Sequence, residues 1–298
     1  METGFFGGTS LMVEVILIAA PFLVVPLGLW HLDREGVAGA GLRRNRLVFI
    51  IYWFSASMLA ISFLLPDVEK GSVHYLAGLL AVPWMLFTYL LAGIGLVHFY
   101  RHVRSLDAQL CYSAALVFVA IGGTWAAISR AGLPVMGFEP IIILLTAVHF
   151  HYAGFALPLL SGLAIRTLTR HHAVRLMVLL IIVGIPLVGV GIAGKALVEV
   201  IAVGILAAGC GGLAIVQIRC AMRCSLEPAR GLLLLSSLSL LLGMLLAVIY
   251  GIGEYRGQQL LGIPLMIPLH GIANSVGFSL AGLYGWSVLR RSAALPRD

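Results

Sequence analysis

Charge is scarce in this sequence. Asp, Glu, Lys and Arg make up only 10% of its 298 residues, against roughly a quarter in a soluble domain, whose surface must face water. With 61% hydrophobic residues and a mean hydropathy of +1.06, this chain turns its surface toward something else. The signatures of soluble enzymes are missing as well: there is no phosphate loop, no dinucleotide fingerprint and no Gly-x-Ser-x-Gly elbow. No linker or low-complexity run divides the chain. No internal repeat is visible either, which weighs against the architecture of transporters built from two repeated halves. Cysteine is scarce. Cys111, Cys210, Cys220 and Cys224 fall in apolar stretches or beside basic loops, a setting that keeps thiols reduced. Cys220 and Cys224 could share a helix face, but two thiols without further ligands make a poor metal site. Before the first apolar stretch there is neither a basic leader nor a small-residue cleavage site, so that stretch reads as a span and not as a removable signal peptide.

What the sequence does contain is apolar runs of about 20 residues, the length that crosses a hydrocarbon core. The fold class expected is all-α: a polytopic integral membrane helix bundle, one transmembrane domain over 1–298 with about nine helices. The spans fall near 10–30, 47–66, 75–98, 108–130, 140–165, 175–193, 196–218, 230–251 and 264–289. Around Gly191 to Lys195 a very short turn must separate two of them, and a single long tilted helix there would reduce the count to eight.

Basic residues decide between these counts, because short cytoplasmic loops collect Arg and Lys. Nine spans with the N-terminus outside and the C-terminus in the cytoplasm put fifteen on the inside: Arg34, Arg43, Arg44, Arg46, Arg101, Arg104, Arg166, Arg170, Arg175, Arg219, Arg223, Arg230, Arg290, Arg291 and Arg297. Only Lys70, Arg130, Lys195 and Arg256 fall outside. Merging the two spans would send the last two inside clusters to the outer face. The net charge of +7 and pI of about 9.5 then reflect this rule and anionic headgroups, with no nucleic-acid partner; the partner is the lipid bilayer, and the location expected is the inner (plasma) membrane. The 35 glycines, as in Gly209-Cys210-Gly211-Gly212, let helices approach closely.

Inside hydrocarbon an ionisable side chain is costly and reads first as functional. Glu14 lies about one turn into the first span, His149, His151 and Tyr152 lie inside the fifth, Glu199 just inside the seventh, and His270 and Asn274 inside the ninth. Thr124 and Trp125 sit toward the outer end of the fourth, with Glu139 and Glu254 near the outer surface. At 1.5 Å per residue, Glu14, Glu199 and His270 fall roughly 5–10 Å below the outer boundary, and His149 and His151 roughly 13–17 Å. Gln217 is the one comparable group of the inner half. Sequence-distant polar residues therefore share an outer-half depth, as a cavity open to that side requires.

The run Thr146-Ala-Val-His149-Phe-His151-Tyr152-Ala-Gly-Phe155 is the most informative. Thr146, His149 and Tyr152 share a helix face, while His151 points about 200° away from His149. The two imidazoles cannot normally hold one metal ion. They could serve two sites, or one could be catalytic while the other packs. Pro158 removes the donor for the Gly154 carbonyl and loosens the turn below them. In the last span His270 and Asn274 share a face beside Gly271, with Gly277 one turn on. Glu14 is a proton carrier or acid, the counter-charge of a histidine, or a snorkelling surface group.

His149-Phe-His-Tyr-Ala-Gly-Phe155 together with His270-Gly-Ile-Ala-Asn274 and Gly277-Phe278 resembles the YndJ-like family of bacterial membrane proteins, mainly over the second half of the chain; the first four spans match in general character. The resemblance implies that His149, His151, Tyr152, His270 and Asn274 belong together. It names no activity.

Three functions compete. The first is a membrane-embedded enzyme in which a lipophilic small molecule enters from the bilayer and His149, Glu14 and His270 transfer protons, with His151, Tyr152, Thr146, Asn274, Trp125, Thr124 and Glu199 around the substrate. Cyclisation, isomerisation or hydration needs no cofactor and no metal and fits a chain without soluble domains. The second is a proton-coupled transporter using the same residues near the midplane. The third is a haem or metal protein, since histidines on opposite helix faces occur in haem–copper oxidases, although the further histidine motifs of that family are absent. A structural or assembly partner is the remaining class.

Overall fold

The computed structural model describes residues 3–37, 39, 41, 45–65, 74–102, 107–166, 172–258 and 261–293, with side chains over 10–292 of these. Arg43, Arg44, Lys70, Arg104, Arg170 and Arg297, which enter the charge argument, lie outside the described residues. The described residues are mostly helical, without strands. Eight helices are long and apolar enough to cross a membrane: α1 (Ser10–Arg34), α3 (Tyr75–His102), α4 (Ala108–Ala131), α5 (Pro140–Ile165), α6 (His172–Ala193), α7 (Ala196–Met222), α8 (Glu227–Arg256) and α9 (Ile263–Ser292). The shorter apolar α2 (Arg46–Ser62) is the ninth. In hydrocarbon a helix satisfies its own backbone groups, so each apolar run has little choice but to become one.

Local chemistry sets the helix ends. The Asn45 side chain accepts from the Leu47 amide at 2.9 Å and caps α2. Proline opens α5, α8 and α9 in the first turn, where the missing N–H costs nothing. Gly257 closes α8 in the left-handed region, φ 64°. Helices α6 and α7 are distinct, joined through Gly194 and Lys195. A Cβ on Gly191 would stand 2.5 Å from the Glu199 Cα, so only glycine lets the two backbones close this hairpin.

Three helices are interrupted near their middles by a π turn: α1 at Ala20–Val24, α5 at Tyr152–Ala156 and α9 at Ala273–Leu280. Proline accompanies each interruption, at Pro21, Pro158 and Pro268, but proline alone is insufficient. Pro83 in α3 and Pro186 in α6 sit inside helices that stay α throughout.

The chain forms two compact units, Met1–Val103 with Tyr112–Ala156, and Arg104–Cys111 with Leu157–Asp298. In the first, α1 packs along the first half of α5, and α2 along α3. Tyr52, Trp84 and Phe87 form its aromatic centre, with rings 5.1–6.2 Å apart. In the second unit, α7 packs against both α6 and α8, α8 packs against α9, and every residue of the α5 segment Leu157–Ile165 is buried.

Candidate functional site

The first half of α5 presents its two histidines differently. His149 is exposed, and its Nδ1 donates to the Leu145 carbonyl at 2.8 Å. Thr146, half-buried one turn earlier, donates to Ile142 O at 2.8 Å. His151 is fully buried. Its Nδ1 donates to the Ala147 carbonyl at 2.8 Å, and its Nε2 accepts the Trp84 indole N–H at 2.9 Å. The imidazole is thus the neutral Nδ1–H tautomer, both nitrogens spoken for, lying nearly parallel to the indole (18°). Gly122 of α4 makes room for it: a Cβ there would stand 2.7 Å from His151 Nδ1.

Tyr152 opens the π turn with φ −101°, lies 4% exposed, and donates its hydroxyl to Ile16 O of α1 at 2.9 Å. Tyr52 of α2 ties the other interrupted helix of this unit, donating to Pro21 O within the π turn of α1. Glu14, half-buried on α1, accepts from Ser10 at 3.1 Å and belongs to the helix packed along this part of α5. On α4, Thr124 donates to Ala120 O at 2.8 Å and meets the Tyr89 hydroxyl at 3.0 Å, while Trp125 leans on Phe138, 6.2 Å between centroids.

In the second unit His270 Nδ1 donates to the Gly243 carbonyl of α8 at 2.9 Å, and Asn274 Nδ2 donates to His270 O at 2.9 Å. A side chain at Gly243 would overlap the Asn274 amide. Serines surround the π turn of α9: Ser275 donates to Gly271 O at 2.6 Å, Ser279 to Asn274 O at 2.7 Å, and Ser236 of α8 to Phe278 O at 2.8 Å. Ser237 donates to Leu233 O at 2.8 Å. Because both α8 hydroxyl hydrogens are committed, their oxygens accept from Gln217 Nε2, at 2.8 and 3.2 Å. Glu199, half-buried in the first turn of α7, has Glu254 of α8 as an electrostatic neighbour.

Of the sequence-selected residues, Glu14, Thr124, Trp125, Thr146, His149, His151 and Tyr152 belong to the first unit, and Glu199, His270 and Asn274 to the second. Trp84 and Tyr52 escaped the sequence reading. The signal for Trp84 was available, because a buried indole N–H needs an acceptor and few acceptors exist inside a span. Among the described residues no three His, Cys, Asp or Glu side chains gather as metal ligands.

The sequence profile of the YndJ-like protein family matches residues 15–278, and so takes in the first four spans as well as the later motifs. A curated relative, the uncharacterized membrane protein YndJ of Bacillus subtilis (strain 168), is 32% identical over 209 residues, covering 70% of this chain. The matched region is 38% of that relative, so the chain spans under half the length of the protein it resembles. No solved structure matches. Both matches lead to one assignment: this multi-pass membrane protein belongs to the YndJ-like family.

Proposed function

We propose that this protein is a membrane-embedded enzyme that rearranges a lipophilic small molecule by proton transfer, with His149 as the principal base. The observation that carries the reading is an exposed imidazole in an apolar span, with its Nδ1 tied to its own helix. An intramembrane histidine is expensive to keep, and one left exposed is within reach of a molecule arriving from the bilayer. In the cycle proposed, His149 Nε2 takes a proton from one position of the substrate and the Glu14 carboxyl returns one to another. The two groups then exchange the proton, so no cofactor is consumed. His270, half-buried with its Nδ1 on the Gly243 carbonyl of α8, is assigned a proton-handling role in the second unit because an intramembrane histidine is expensive to keep. The chemistry is of the cyclisation or isomerisation type; in the hydration variant a water molecule gives the proton to His149 and its oxygen bonds to the substrate while Glu14 protonates the neighbouring carbon.

The basic residues support a plasma-membrane orientation with the N-terminus outside and these groups in the outer half. A reporter fused after Arg291 should be active on the cytoplasmic side; activity on the outer side alone would overturn this topology.

Purified protein incubated in deuterated buffer with a bacterial membrane lipid extract tests the chemistry. An apolar molecule should gain deuterium with the wild type and not with His149→Ala or Glu14→Gln. No difference between the three proteins would refute the reading. A proton-coupled transporter is the second reading, favoured by the mid-helix interruptions of α1, α5 and α9, since carriers bind substrates at broken helices. It predicts no deuterium exchange but proton uptake in proteoliposomes.

A further inference from the structure

We propose that Trp84 is a positioning residue for this site, holding His149 outward by fixing its neighbour-but-one, His151. The proposal rests on the role of His149 given above, and the observations behind it lie on three helices. Trp84 is fully buried on α3 and donates its indole N–H to His151 Nε2 at 2.9 Å. His151 spends its other nitrogen on Ala147 O, so its ring has no remaining polar atom with which to choose another orientation. Gly122 on α4 closes the third side against the imidazole.

Residues two apart on a helix point about 200° from one another. Anchoring His151 in the aromatic centre therefore turns His149 to the opposite side of α5. The next residue reinforces this, because Tyr152 is held in another inward direction by Ile16 O of α1. Such a double anchor matters at this point of the chain. The π turn at Tyr152–Ala156 relaxes the regular hydrogen-bond ladder that would otherwise set the rotation of the segment before it, and π turns are frequent at functional sites. Removing the indole N–H leaves His151 Nε2 buried without its donor, and the segment can then regain a partner only by turning.

Two substitutions of His151 separate positioning from packing. Glutamine offers an acceptor where Nε2 stood and so keeps the Trp84 bond. Asparagine reproduces the Nδ1 side and loses that bond, although it is equally polar and no larger. The readout is carbethoxylation of histidines by diethylpyrocarbonate in the purified, monodisperse protein, mapped by mass spectrometry. In the wild type His149 is labelled and His151 is not. In Trp84→Phe, His151 becomes labelled and His149 slows about fivefold, the equivalent of one lost hydrogen bond. His151→Asn slows His149 similarly, and His151→Gln restores the wild-type rate. Wild-type labelling of His149 in His151→Asn, or equal slowing in Asn and Gln variants, overturns the proposal, even if Trp84→Phe fails to fold. Labelling is read without turnover. If His149→Ala leaves deuterium exchange intact while the labelling pattern holds, the proton-transfer reading fails and the positioning role stands.

Discussion

The two units meet the same difficulty, a helix whose ladder is interrupted inside the membrane, with different side chains. In the first unit large aromatic donors reach across from neighbouring helices: Tyr52 to Pro21 O, Tyr152 to Ile16 O, and the Trp84 indole to His151. In the second, small hydroxyls act at short range. Ser236 reaches Phe278 O, while Ser275 and Ser279 bond back to their own helix. Glycines at 243, 277 and 282 bring α8 and α9 close enough for this to work. The difference concerns how much packing each polar tie carries. An aromatic donor fills volume as well as making its bond, whereas a serine makes the bond and little else.

Trp84→Ala should therefore have the largest effect, costing about 3–5 kcal/mol through the cavity it opens and visible as a sharp drop in thermal stability in detergent. Gly243→Val comes next. It tests whether close approach is what the second unit depends on, because the new side chain meets the Asn274 amide, and overpacking typically costs about 1–3 kcal/mol. Ser236→Ala should cost only about 0.6 kcal/mol, the average for an interhelical hydrogen bond in a membrane protein, measured by the same melts. If it destabilised as much as Trp84→Ala, the contrast between the units would collapse. His149→Ala marks the lower end for stability, within about 0.5 kcal/mol as for other exposed positions, while proton transfer should fall by roughly 10² to 10⁴, read as deuterium exchange at equal protein level.

The spans were legible because hydrocarbon leaves an apolar run of 20 residues few alternatives. The hairpin at Gly194 and Lys195 was recoverable from charge alone. Boundaries drifted where helices continue past their apolar core: the span expected over 230–251 extends as Glu227–Arg256. The site was less legible. Helical periodicity says nothing of the π turn that Tyr152 opens, which has no simple sequence signature beyond a nearby proline, or of the Ile16 carbonyl that takes its hydroxyl. His151, placed on the sequence among the residues around the substrate, has both ring nitrogens engaged by other helical groups. One of these, Trp84, is 67 residues away in the chain, and such a pairing belongs to tertiary structure alone.

The length of α2 carries a consequence for the lipid. Its 17 residues span about 25 Å at 1.5 Å per residue, several ångströms less than an average hydrocarbon core. Its last carbonyl does not look to water. The Arg130 guanidinium donates to Ser62 O at 2.7 Å and to Leu65 O at 3.2 Å, and rests on the Phe63 ring. With Leu47, Phe49, Ile50, Phe54 and Ile61 exposed, α2 offers acyl chains a short apolar face, better matched by a thinner than an average bilayer. Hydrophobic mismatch of this kind costs fractions of a kcal/mol per ångström, enough to draw the protein toward bilayers with shorter acyl chains.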